Sequence, residues 1–137
     1  MFPQLHINGL VFPNADDGNT GLELWKSNGT EAGTVLVKDV NPGANESFPD
    51  YMVALGNVVL FNANDGTNGR ELWKSDGTAA GTVLLKDIKQ NGDSNPWYLV
   101  NVNGVIFFSA DDGTHGRELW KSDGTAAGTV MVKDIVV

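Results

Sequence analysis

Apolar positions in this chain fall in short runs separated by glycine, asparagine and aspartate turns, and no segment has the 3.6-residue period of a helix. The last third shows the pattern most clearly. Residues 97–102 form an apolar run. Asn103-Gly104 follows, a two-residue hairpin signal in which both positions tolerate positive φ. Residues 105–109 are β-branched and aromatic, 111–116 read as a loop, and 117–122 alternate around Leu119 and Trp120. Asp123-Gly124 is a turn, and residues 129–135 complete the set. The pattern predicts four short antiparallel strands.

This unit occurs three times. Glu23-Leu24-Trp25-Lys26-Ser27-Asn28-Gly29-Thr30 returns as Glu71-Leu72-Trp73-Lys74-Ser75-Asp76-Gly77-Thr78, and again from Glu118 to Thr125, with tryptophans 48 and then 47 residues apart. Each copy is preceded by an apolar run and an acidic glycine loop, and followed by a Gly-Thr-Val step and a Lys-Asp pair. The units span about 1–41, 48–89 and 95–137 and leave no room for a separate domain. Residues 58–61 and 105–108 are apolar without alternation, which predicts sheets covered on both faces. Repeated four-stranded sheets stacked on one another satisfy that demand.

The unit resembles the bacterial ELWxxDGT repeat and, more broadly, the blades of TolB-type and WD-type propellers. The first copy departs from it, with Asn28 in place of the aspartate and Leu22 in place of Arg70 and Arg117. The resemblance implies an all-β propeller of four-stranded antiparallel blades and an origin in a bacterial surface or secreted protein, although the N-terminus lacks a signal-peptide pattern. A β-trefoil, also built from three four-stranded units, is the alternative fold. Propellers close with 4–8 blades, so three blades predict a homodimer forming a six-bladed ring, or else a segment of a longer array.

Composition narrows the partners. Nine Lys+Arg against 17 Asp+Glu, a formal charge of -8, argue against nucleic acid and against an anionic membrane surface. The absence of cysteine excludes disulfides, thiolate metal sites and thiol catalysis. With only His6 and His115, no zinc-type histidine pair or nucleophile elbow appears, and the chain reads as a non-enzyme without a cofactor.

The resemblance places the acidic glycine loops and the connectors between units on one side of the fold. That side collects Asp16, Asp17, Asp65, Asp111 and Asp112, together with His115, Trp97 and Tyr98, and these are the candidate ligand-binding residues. A carbohydrate or a protein is the expected ligand, with a purely structural role or a trefoil lectin as alternatives. Asp16, Asp65 and Asp112 are the positions for calcium, but neither the EF-hand nor the nonapeptide pattern is present, and solvated turns are the simpler expectation. Trp97-Tyr98 reads as a hydrophobic anchor beneath the connector or as a stacking platform for a sugar. The shared repeat position of Tyr51 and Tyr98 favours the anchor. Trp25, Trp73 and Trp120 are expected between units, Asp76 and Asp123 in turns, and Lys38-Asp39 and its equivalents in ion pairs, with Glu23, Glu71 and Glu118 as partners.

Overall fold

The computed structural model describes residues 5–135; residues 1–4 and 136–137, the outer ends of the first and third expected units, lie outside the described residues. Strands β1 (His6–Ile7) and β2 (Leu10–Val11) form a two-stranded sheet, and β3 (Asn14–Asp16), β4 (Leu22–Lys26) and β5 (Val35–Lys38) a three-stranded one. Strands β6 (Asp50–Leu55), β7 (Val58–Asn64), β8 (Arg70–Ser75) and β9 (Val83–Lys86) make a four-stranded sheet. So do β10 (Trp97–Val102), β11 (Val105–Asp111), β12 (Arg117–Ser122) and β13 (Val130–Lys133). Every pairing is antiparallel and follows sequence order. The described residues contain no helix, as the pattern predicted. They form open sheets with no closed barrel, so the trefoil alternative fails.

The predicted strands of the third unit appear at 97–102 and 117–122, and the Asn103-Gly104 turn has φ of 53° and 86°, as its hairpin type requires. The first unit departs from the four-strand expectation. Its second strand is divided into β2 and β3 by Phe12-Pro13. Pro13 occupies the register position of Phe61, which faces Trp73 in the second unit. Its carbonyl still accepts from the Trp25 N–H at 2.9 Å, but proline has no N–H to return. Val11 and Ser27 exchange both backbone bonds at 3.0 Å, so the strand direction survives the break.

Two apolar cores lie between successive units. The first joins Phe12, Leu24, Val37 and Val40 to Val59, Phe61, Ala63 and Trp73; the second joins Leu60, Leu72, Leu85 and Ile88 to Ile106, Phe108, Ala110 and Trp120. Residues 59–63 are buried throughout, and Val59, Leu60 and Phe61 alternate between the two cores, which explains the unbroken apolar spelling of 58–61. In β11 only alternate residues are buried. Full coverage of both faces therefore holds for the second unit and not for the third. Trp73 and Trp120 are buried between units as expected, each 6% exposed, whereas Trp25 is half-buried.

Polar ties repeat with the units. Lys26 Nζ donates to the Gly77 carbonyl at 2.8 Å and Lys74 Nζ to that of Gly124 at 2.9 Å. Lys38 Nζ donates to the Thr82 carbonyl at 3.0 Å and Lys86 Nζ to that of Thr129 at 2.8 Å. The lysines of the first two Lys-Asp pairs thus bind main-chain oxygens of the following unit, which corrects the ion pairs expected with the glutamates. An ammonium aimed at a carbonyl suits this place, because a turn's carbonyl facing a neighbouring sheet needs a donor that can reach it.

Candidate functional site

The connectors between units do lie against the acidic glycine loops. A Cβ on Gly21 would overlap main-chain atoms of Ala44 and Asn45, and one on Gly69 would overlap the Gly92 carbonyl. Both glycines have positive φ, 75° and 78°, so the close approach and the backbone conformation select the same residue.

The glutamate of each Glu-Leu-Trp segment holds the connector in place. Glu71, fully buried, accepts from the Ile88 N–H at 2.7 Å, the Ser94 N–H at 3.2 Å and the Ser94 hydroxyl at 2.6 Å. Glu23 repeats the arrangement with Val40, Asn41 and Ser47, and Glu118 accepts from the Ile135 N–H at 3.0 Å. Burial pushes the Glu71 carboxyl up to about 7, against the pull of the Ser94 and Ile88 donors, and raises Glu23 in the same way.

The aspartates of the acidic loops mostly bond within their own turns, with Asp111 reaching also to Lys89 of the connector. Asp16 accepts from the Gly18 N–H, and Asp17 from the N–H groups of Asn19 and Thr20. Asp65 accepts from the N–H groups of Thr67 and Asn68, and from the Asn68 side chain. Asp111 binds the Gly113 N–H and Lys89 Nζ, the latter at 3.0 Å. Asp112 binds the Thr114 and His115 N–H groups, and its other oxygen lies 2.7 Å from His115 Nδ1. These bonds hold Asp17 and Asp111 below the usual carboxylate range. Hydrogen bonding to Asp112 also raises His115 above its ordinary value. Among the described residues no three His, Asp or Glu side chains converge as metal ligands would, so the calcium positions Asp16, Asp65 and Asp112 stay in separate turns. Asp76 and Asp123 are turn residues as expected, each accepting from the N–H and hydroxyl of the threonine two residues on, and Asn28 does the same in the first unit.

Trp97 and Tyr98 are not an anchor. Tyr98 is 69% exposed and Trp97 36%; Tyr51, which meets Tyr98, is 38% exposed, and Phe48 is 46% exposed. Most of β10 is exposed, and β6 and β10 each carry a register shift near their start, between Asp50 and Val53 and between Trp97 and Val100. Tyr51 and Tyr98 sit in these irregularities with φ of 51° and 60°, so the chain at each tyrosine leaves the extended conformation. Their rings meet edge to face at 5.2 Å. A left-handed conformation costs a non-glycine residue about 1–2 kcal/mol, so two tyrosines held there mark a surface maintained against local preference.

Two arginines complete the strip, and the sequence reading missed their role. Arg117 lies 3.9 Å from the centre of the Trp97 ring and donates to the Asn95 carbonyl and Ser109 hydroxyl. Arg70 donates to the Phe48 carbonyl at 2.7 Å and pairs with Asp50 at 3.2 Å, with its guanidinium 5.8 Å from the Phe48 ring. Trp97 stands at the repeat position of Asp50, so one arginine has a carboxylate partner and the other an indole. The available signal was the recurrence of arginine two residues before Leu72 and Leu119, together with a Pro-x-Tyr step in the connector that precedes each. No family model, curated protein or solved structure matches the chain.

Proposed function

We propose that the chain is a non-catalytic binding module built of three β-propeller blades of the ELWxxDGT type, closed into a six-bladed ring by a second copy. Its ligand site is the aromatic–arginine strip on the connector side, and the ligand class is carbohydrate. The observation that carries this reading is the group Tyr51, Tyr98 and Trp97, all more than a third exposed and joined by ring contacts at 5.2 Å and 6.5 Å. Exposed rings that a protein holds in place present flat apolar faces to the C–H faces of a sugar, while Asp50 and the connector amides offer partners for hydroxyls. The acidic loops serve as the walls that position this strip. Asp112 and His115 make a turn contact three residues apart.

A glycan array probed with the labelled protein tests the reading, followed by titration of any hit against Trp97→Ala and Tyr98→Ala. Binding that either substitution weakens at least about tenfold is the expected result. An array with no hits, or hits indifferent to both substitutions, refutes the carbohydrate assignment. Capture of a protein ligand by the same strip would replace it.

A further inference from the structure

The two interfaces inside the chain describe a third that is left open. In each, one unit presents a face we call leading, made by Leu24, Val37 and Val40 in the first unit and by Leu72, Leu85 and Ile88 in the second. The following unit covers it with its trailing face. The leading face of the third unit is made by Leu119, Val132 and Ile135. These are 40%, 44% and 64% exposed, whereas their counterparts are all 7% exposed or less. At the other end, the trailing face of the first unit has the half-buried Val11 and Trp25 where the second unit has Val59 and Trp73 buried in the core, and Leu36 where the second unit has the half-buried Leu84 against that core.

The polar ties show the same pattern. The lysines of the first two units reach carbonyls at the third position of the Ser-Asp/Asn-Gly turn and at the threonine seven residues after its serine. Their third-unit counterparts, Lys121 and Lys133, are exposed and have no acceptor among the described residues. Beside Lys121 lies a recess of about 300 Å³, lined also by Val105, Asp123 and Val130. The corresponding acceptors of the first unit are the carbonyls of Gly29 and Thr34, and no side chain of the described residues donates to either.

From this complementarity we infer that the leading face of the third unit docks on the trailing face of the first unit of a second copy, in the register of the internal interfaces. Lys121 then donates to the partner's Gly29 carbonyl and Lys133 to the partner's Thr34 carbonyl. Leu119 and Val132 pack against the partner's Trp25 and Leu36. The inference rests on the self-association proposed above and adds which surfaces meet and in which direction. The contact is head to tail, so two copies make two such contacts if the ring closes.

The test uses a block on each face. Leu119→Asp spoils the leading face at an exposed position, and Leu36→Asp spoils the trailing face. Circular dichroism confirms that each variant is folded, and Lys121→Glu with Lys133→Glu serves as a second block of the leading face at exposed positions. Masses are read by light scattering on a sizing column. The expected result is self-association of the unaltered chain, monomers for each variant alone, and a 1:1 complex when the two kinds of variant are mixed, because the mixture keeps one intact interface. The lysine variant weakens association about tenfold or more. A trailing-face variant that still dimerises, or a mixture that stays monomeric while the unaltered chain associates, overturns the head-to-tail pairing and leaves self-association standing. An unaltered chain that stays monomeric removes both.

Discussion

Replacing Glu71 removes the group that ties the second connector to its sheet. In Glu71→Ala the N–H groups of Ile88 and Ser94 and the Ser94 hydroxyl lose their acceptor in a place closed to water. A buried donor left unmet costs about 1–3 kcal/mol, so with some relaxation the loss is about 3–5 kcal/mol. Glu71→Gln keeps one carbonyl acceptor and loses less, about 1–2 kcal/mol. The two variants also separate the charge from the bonding. Glu71 lies at about 7 in the fold against an ordinary 4.5. The folded chain therefore holds this proton more tightly than the unfolded chain does. Its contribution to stability is full below about 4.5 and is lost as the pH rises through about 7. At about 1.36 kcal/mol per pH unit that interval corresponds to about 3 kcal/mol. Urea unfolding followed by tryptophan fluorescence between pH 5 and 8 reads both effects. The unaltered chain weakens across this range by about 3 kcal/mol more than Glu71→Gln. An alanine variant within about 1 kcal/mol of the unaltered chain refutes the tie, and a glutamine variant with the unaltered pH slope refutes the protonation argument.

Gly69→Ala places a methyl group into the Gly92 carbonyl at positive φ, and its thermal unfolding shows a loss of at least about 2 kcal/mol. Gly9→Ala, with similar φ and open space around it, loses only about 1 kcal/mol in the same assay. Lys86→Met leaves the Thr129 carbonyl without its ammonium donor and costs about 1–2 kcal/mol, read from the shift of a urea midpoint at constant slope. Tyr98→Gly relieves a φ of 60° and leaves stability within about 1 kcal/mol of the original while abolishing ligand binding, measured by calorimetry and titration together. In a proton NMR titration His115 changes charge above its ordinary value of 6.5, and Asp112→Asn brings it down.

The strand layout was legible because each device that makes it is local. Asn103-Gly104 makes its hairpin alone, and the Ser-Asp-Gly-Thr turn closes on the side chain of its own aspartate. The buried tryptophans were legible because repetition at one position rarely serves anything but packing. The lysine partners were not, since the oxygen that Lys38 reaches belongs to Thr82, 44 residues away in the next unit. The exposure of Tyr98 was hidden for a related reason. A run rich in apolar residues reads as a covered strand, and nothing in its hydropathy shows that most of β10 stays exposed. Arg117 was read only as the first residue of its strand, and its place over Trp97 depends on a connector that ends twenty residues earlier.

The lysine ties end on main-chain oxygens, and this shapes how such a chain can change length. A carbonyl is present whatever side chain the turn carries, so Asn28 in the first unit and Asp76 in the second leave equivalent docking points. A duplicated stretch of 47 or 48 residues inserted at any boundary would meet sockets already cut to its shape on either side. Growth and loss by whole units then require no compensating substitutions, and sequence drift within a turn does not close off that route.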